Sequence, residues 1–286
     1  MNWASATGQH LIPFPVPGTT LTSSRGKYVV GALIGDGQYG SVYECVGPFD
    51  QAYALKMLRP ANKPYHAVKE EWSHEMMRLE SVRHPNIVYI HDAFEDNFLF
   101  YFALEKCDTN LKALLGRPLQ DQFIIEIARQ LLMTLQYLHD NGVVHADLHP
   151  GNVLLSQLDR APIVKLTDFG VAQVVDAQQR WFRPQVANPK ILTPELVTLG
   201  YTTTQSDLYQ LGLLMFQMVT GQSAIDTSLP YEEVARQIAE GGPRSKAESL
   251  GTPIGNVTAK LLRRRDAYRY QSAREVWDDL RTLRWG

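Results

Sequence analysis

Cysteine is nearly missing: 286 residues hold only Cys45 and Cys107. They stand far apart in no metal-ligand spacing, which argues against a disulfide scaffold or zinc module and fits a reducing, cytoplasmic setting. A surplus of one charge is missing too. Lys and Arg number 28 against 30 Asp and Glu, for a net charge of −2, so the basic footprint that nucleic acid requires is absent and no nucleic-acid partner is expected. No apolar run is long enough for a bilayer. The longest helical candidate, Leu208 to Val219, is short and carries Gln210 and Gln217, so it reads as a buried core helix, and no membrane partner is expected. The first residues lack the basic-then-apolar pattern of a signal peptide.

What is present is ordinary for a globular chain: 44% apolar and 20% charged residues, in a length sufficient for one large domain or two lobes. Residues 1–24 are rich in Pro, Gly, Ser and Thr, and Pro13, Pro15 and Pro17 alternate with Phe14 and Val16. That favours extended chain and reads as an extension packed on the domain or mobile, with a partner or autoregulatory contact as the alternative. From Tyr28 the pattern turns to strands. Gly35, Gly37 and Gly40 form G-x-G-x-x-G-x-V with Val42, between two strand-like runs. Such glycines let backbone N–H groups approach phosphates. The following run, Ser41 to Val46, alternates like a strand, so a hairpin is expected rather than a dinucleotide-binding turn.

Tyr53 to Leu58 is a strand containing one cation, Lys56. A helix is expected from about Ala67 to Val82, a turn at His84-Pro85-Asn86, and strands at Ile87–Ile90 and Phe98–Leu104. The polar connector from Glu105 to Asn110 marks a lobe boundary. Residues 121–140 place Ile124, Ile127, Ala128, Leu131, Leu135 and Leu138 on one helical face. Another helix is expected over Tyr231–Glu240, stopped by Gly241-Gly242-Pro243. Arg263-Arg264-Arg265 reads as a solvated helix end, and Trp277 and Trp285 as packing for the last helix.

The stretch with the most chemistry is His145-Ala146-Asp147-Leu148-His149-Pro150-Gly151-Asn152, a loop between a helix and the apolar run Val153-Leu154-Leu155. Asp147 is placed to accept a proton from an attacking hydroxyl, and Asn152 offers a hard oxygen to a cation such as Mg²⁺. Sixteen residues on, Asp168-Phe169-Gly170 adds a carboxylate after the strand-like Ile163–Leu166.

In this order the residues resemble the eukaryotic-type protein kinase family. The glycine loop is similar to the family's nucleotide-covering loop, Ala54-Leu55-Lys56 to A-x-K, and Glu75, nine residues before His84, to the αC glutamate. His145-Ala146-Asp147 resembles H-R-D, Asp168-Phe169-Gly170 D-F-G, and Thr193-Pro194-Glu195 A-P-E. Asp207 to Gly212 resembles the start of αF, and Arg269 the arginine that pairs with the A-P-E glutamate. Each motif alone is weak; eight in order carry the resemblance. It implies an α+β, bilobal kinase-like fold: extension 1–24, N-lobe 25–104 with an antiparallel sheet and one helix, hinge 105–108, and a mainly helical C-lobe 109–286. It implies ATP and Mg²⁺ as cofactors and a protein substrate. Lys56 would hold the α and β phosphates and Glu75 would fix it; Asp147 would orient the hydroxyl; Asn152 and Asp168 would hold Mg²⁺. Ile34, Gly35, Gly37, Gly40, Val42, Ala54 and Leu154 would cover the nucleotide. Leu104 would be the gatekeeper, and Glu105 and Cys107 would offer backbone hydrogen bonds to the purine.

The chain departs from the pattern in three places. Ala146 replaces the H-R-D arginine, which in many kinases binds an activation-segment phosphate. Residues 169–192 contain no Ser, Thr or Tyr, so activation-loop phosphorylation is not expected to be the switch. His149 stands where Ser/Thr kinases usually carry Lys, and Asn188 where they usually carry Thr. His149, protonated or helped by Arg180 or Arg183, is the catalytic-loop candidate for the missing ammonium. The string H-x-D-L-H also occurs in kinases resembling aminoglycoside and choline phosphotransferases. A small-molecule kinase and a nucleotide-binding pseudokinase scaffold are therefore the rivals to a Ser/Thr protein kinase; tyrosine specificity is a lesser option.

Overall fold

The computed structural model describes residues 2–4, 11–37, 40–60, 63–159, 161–175, 181–184 and 188–283. Gln38 and Tyr39 of the glycine loop, the candidate cation Arg180, and Trp285 lie outside the described residues, as do residues 1 and 5–10 of the extension. The chain divides into two compact units, residues 1–83 with 88–107, and residues 84–87 with 108–286.

In the first unit, β1 (Asn2–Ala4) pairs with β2 (Leu11–Pro13). The main sheet comprises β3 (Thr20–Ser23), β4 (Gly26–Asp36), β5 (Gly40–Val46), β6 (Ala52–Leu58), β7 (Ile90–Asp96) and β8 (Leu99–Glu105). It is antiparallel, in the order β3-β4-β5-β6-β8-β7. The edge strand β3 thus falls within the proline-rich extension, with Leu21 buried. Side chains alternate between two faces. One face is aromatic: Tyr28 stacks on Phe94, and Phe94 on Tyr101. Helix α1 (Tyr65–Ser81) covers the other, where Trp72 lies against Phe100 and Phe102 and donates to the Tyr101 carbonyl at 3.2 Å.

The strand expected at Ile87 begins at Ile90 instead. Residues 84–87 belong to the other unit, and the Asn86 side chain shows why. Its amide donates to Gln130 Oε1 at 2.7 Å and to the Val164 carbonyl at 2.9 Å. Ile87 then bridges Leu166.

The second unit is mainly helical. In chain order it has β9 (Thr109–Asn110), α2 (Asp121–Asp140), β10 (Val143–Val144), β11 (Val153–Ser156), β12 (Ile163–Leu166), β13 (Gln173–Val174) and β14 (Trp181–Phe182). Then come α3 (Pro194–Leu199), β15 (Thr202–Thr203), α4 (Thr204–Thr220), α5 (Tyr231–Glu240), α6 (Gly242–Glu248), α7 (Pro253–Leu261) and α8 (Ala273–Leu280). The expected apolar face of α2 is wholly buried. Helix α4 opens on a capping box between Thr203 and Ser206, and its residues from Ser206 to Phe216 are all buried, so it is the core helix of this unit.

Gly241 ends α5 in the left-handed region, φ 89°, as its sequence suggests, but the chain re-enters helix at once. Proline fits a first helical turn, so Gly242-Pro243 starts α6 rather than a loop. Among the described residues no helix is long and apolar enough to cross a membrane.

Candidate active site

The first unit supplies a buried cation. Register places Val42 opposite Lys56, Lys56 opposite Phe102, and Ala54 opposite Leu104, so Val42, Ala54, Lys56 and Leu104 share one sheet face. A lone Lys in a strand is usually an edge residue, but Lys56 sits in a central strand, 8% exposed. Its Nζ lies 2.7 Å from Glu75 Oε1 on α1, itself 5% exposed, so Glu75 is no surface acid.

The glycine hairpin pairs Gly35 with Val42, and Gly37 N–H closes the tip on the Gly40 carbonyl at 3.0 Å. A Cβ on Gly40 would collide with the Met57 carbonyl, whereas one on Gly37 would meet nothing closer than 3.8 Å. Packing therefore demands glycine at 40 but not at 37. Ile34 is exposed at the hairpin. Glu105 ends β8, its N–H donating to the Tyr89 carbonyl at 2.9 Å. Cys107 is half-buried and in no disulfide, and burial pushes the Cys45 thiol up to about 11.

The second unit holds the 145–152 loop by backbone contacts to α4. Asp207, fully buried, accepts the N–H groups of His145 (3.0 Å) and Ala146 (2.8 Å) and lies 2.8 Å from His139 Nε2. Gln210 accepts from Leu148 N–H and donates to the Ala146 carbonyl. Ala146 can therefore sit at φ 63°, a conformation a non-glycine residue keeps only when its surroundings impose it. His145 accepts the Asp147 N–H on Nδ1, and its Nε2 lies 3.2 Å from the Thr167 carbonyl, linking the loop to the D-F-G turn.

Asp147, 6% exposed, is surrounded by nitrogen donors. Asn152 Nδ2 donates to its carbonyl at 2.9 Å and to Oδ2 at 3.0 Å; Asn188 Nδ2 donates to Oδ1 at 3.2 Å; His149 Nε2 stands 3.6 Å from Oδ2. The pairing of β11 with β12 brings Asn152 and Asp168 to neighbouring strand ends, and Thr167 N–H donates to the Asn152 carbonyl at 3.0 Å. With its Nδ2 turned to Asp147, Asn152 presents Oδ1 on its other side. This amide oxygen and the Asp168 carboxylate suit a hard cation such as Mg²⁺. Asp168 is left-handed at φ 66°. Leu154, half-buried on β11, pairs with Lys165 and Asn110.

Beyond the D-F-G turn, Trp181-Phe182 pairs with Thr202-Thr203, Phe182 is buried, and the Arg183 guanidinium lies over the Trp181 ring. Glu195 and Arg269 form a buried bidentate pair at 2.9 and 2.7 Å. Burial opposes the Glu195 charge, but the Arg269 hydrogen bonds and charge outweigh it and hold the carboxyl below its usual value. The neighbouring arginines act structurally: Arg263 and Arg264 donate to the carbonyls of Tyr268 and Ala239.

The supporting roles of Asp207, Gln210, Asn86 and Gln130 were not legible as site features. The signals were the resemblance of Asp207 to Gly212 to the start of αF and a polar residue in an apolar helix at Gln210.

The family model described as protein kinase domain matches residues 28–275. The chain is 26% identical over 264 residues to the serine/threonine-protein kinase PrkC of Bacillus subtilis, covering 90% of this chain and 40% of that protein. It is 28% identical over 264 residues to the probable serine/threonine-protein kinase PknB of Lactococcus lactis, covering 90% and 42%. With pkn2 of Myxococcus xanthus it shares 28% identity over 268 residues, 89% of this chain and 32% of that protein. The chain spans about two fifths of the length of the first two relatives. The match over 28–275, together with the ordered motifs and the sheet-plus-helix architecture, places this chain in the protein kinase domain family.

Proposed function

We propose that this chain is an ATP-dependent protein kinase that transfers the γ-phosphate to Ser or Thr hydroxyls of proteins without an activation-loop phosphorylation switch. The observation that carries the reading is the closed Lys56–Glu75 pair. A buried ion pair contributes little net stability, because desolvation offsets its attraction. An ammonium held in a central strand is better explained by phosphate binding. The relatives named above as serine/threonine kinases support the acceptor class.

In this reading Lys56 binds the α and β phosphates, and Glu75 sets its position. Ile34, Gly35, Gly37, Gly40, Val42, Ala54, Leu104 and Leu154 enclose the nucleotide. Glu105 contacts the purine through its carbonyl, since its N–H serves Tyr89, and Cys107 through its backbone. Asn152 and Asp168 hold Mg²⁺, which supplies charge neutralisation on the phosphates. Asp147 orients the acceptor hydroxyl and takes its proton at a carboxylate oxygen. Independence from loop phosphorylation is supported by three features: Ala146, the hydroxyl-free 169–192 segment, and the β14–β15 ladder, which anchors that segment without a phosphate. The Glu195–Arg269 clamp favours protein over small-molecule acceptors, because it braces the segment that family members use for peptide docking.

The test is mass spectrometry of phosphosites after incubation of the chain and a dephosphorylated lysate with MgATP, beside a panel of small alcohols and aminoglycosides. Ser/Thr phosphosites should appear with wild type. Asp147→Asn should lower transfer roughly 10²–10⁴-fold. Transfer to the small alcohols alone, or no transfer with intact ATP binding, overturns the proposal.

A further inference from the structure

The family match begins at Tyr28, yet the main sheet has a strand before it. That strand, β3, and β7 are the two ends of the six-stranded order. A sheet edge carries unpaired backbone groups and must be covered or tied off. Here the two edges are tied to each other. Ser23 Oγ and the Tyr28 hydroxyl both donate to Asp92 Oδ2, at 2.6 and 2.9 Å, and Thr22 N–H donates to Asp96 Oδ2 at 3.2 Å. Asp92 is 6% exposed, so its carboxylate relies on these donors.

Arg25 extends the tie. It lies at the tip of the β3–β4 hairpin, where its N–H donates to Ser23 Oγ at 3.0 Å. Its guanidinium donates to the His91 carbonyl, and its Nε stands 3.7 Å from Asp92 Oδ1. His91 is no ordinary strand residue. Strand β7 pairs Ile90 with Leu104 but Asp92 with Ala103, so His91 is the extra residue of a bulge. A bulge takes that residue out of the ladder and re-aims its side chain. The His91 ring packs edge-on against Tyr53 and Tyr89, with centroids 5.0 and 4.8 Å away. Both tyrosines flank Glu105. Tyr53 pairs with it across β6 and β8, and Tyr89 N–H donates to Glu105 Oε1 at 2.7 Å. Contacts therefore run unbroken from the hairpin tip to the end of β8.

We propose that residues 20–25 are a positioning strap for the purine end of the nucleotide site: they close the sheet on Asp92 and Asp96 and, through the His91 bulge, fix the place of Glu105. The strap rests on the reading above that Leu104 and Glu105 border the purine. Arg25 is its adjustable part. Its side chain is 67% exposed and so adds little burial; what it holds is the bulge.

The experiment titrates the full chain with ATP and, separately, with adenosine by calorimetry, and measures kcat and KM. Arg25→Ala should weaken both ligands by the same factor, about three- to fivefold, as for loss of one partly exposed charged contact. KM for ATP should rise with kcat unchanged. Arg25→Lys, which restores a cation with N–H donors, should recover most of the loss. Ser23→Asp sets an anion against Asp92 and should weaken both ligands about tenfold. In a His91→Ala background, where no ring reaches the tyrosines, Arg25→Ala should add nothing further. Wild-type adenosine affinity in both Arg25→Ala and Ser23→Asp overturns the strap, even where the unfolding midpoint falls, because the segment then serves stability alone. Weakened ATP with unchanged adenosine places the effect at the phosphates and also overturns it. A wild-type chain that binds neither ligand overturns the strap and the nucleotide site together. Absent phosphoryl transfer, with adenosine still weakened in Arg25→Ala, overturns the kinase reading and supports the strap.

Discussion

Each unit of this protein carries a buried ion pair, and the two are built differently. Lys56 meets Glu75 through one rotatable ammonium, joining strand β6 to helix α1 at 2.7 Å. Arg269 meets Glu195 through two parallel bonds and also donates to the carbonyls of Arg263, Arg264 and Gln205, while Ser206 donates to Glu195 at 2.5 Å. Its guanidinium lies 4.8 Å over the Tyr209 ring. A planar fork with its N–H groups paired is a fastener; a point charge between a strand and a helix is a contact that a helix movement can open. The first kind suits a clamp; the second suits the gate we propose for Lys56 and Glu75.

That comparison can be broken or sharpened by substitution. The largest effect is expected at the clamp. Arg269→Ala leaves Glu195 buried and unpaired, and should destabilise the fold by about 3–5 kcal/mol in denaturant unfolding. The pH profile supplies the sign. The folded-state carboxyl of Glu195 lies below its usual 4.5, so its contribution is present above that value and lost as pH falls through the lower folded-state value. Wild type should lose stability along that acid limb, and Arg269→Ala should flatten it.

Next is the gate. Glu75→Gln should lower kcat/KM about a hundredfold through misplacement of Lys56, with a smaller effect on stability than at Arg269. Equal destabilisation at the two sites would remove the distinction between gate and clamp.

Third is the loop anchor. Asp207→Asn weakens the acceptor shared by His145 and Ala146 and should cost about 1–3 kcal/mol in unfolding, with kcat falling further than stability alone explains.

The smallest contrast is between two glycines of one hairpin. Gly40→Ala, facing the Met57 carbonyl, should cost about 1–3 kcal/mol. Gly37→Ala should leave stability within about 0.5 kcal/mol; the quantity to measure there is KM for ATP.

The family was legible because phosphate, metal and proton chemistry each need particular side chains, and those stand in a fixed order along the chain. The face of α2 and the strands around Lys56 followed from period alone. The start of β7 did not, because Asn86 bonds to Gln130 and Val164, partners 44 and 78 residues away. The restart of helix at Gly242 did not either, since Pro243 reads equally as a stop or a first turn.

By itself, the order of residues determined the fold class, through the family resemblance its motifs carry, and which groups could bear charge, since side-chain chemistry is a local property. Only tertiary structure decided which way those groups face. Lys56 is interior rather than at an edge because its strand is central. Asp147 gains Asn188 as a donor because the chain returns 41 residues later. Direction depends on which backbone groups need partners once the chain is packed, and that is settled by contacts distant in sequence.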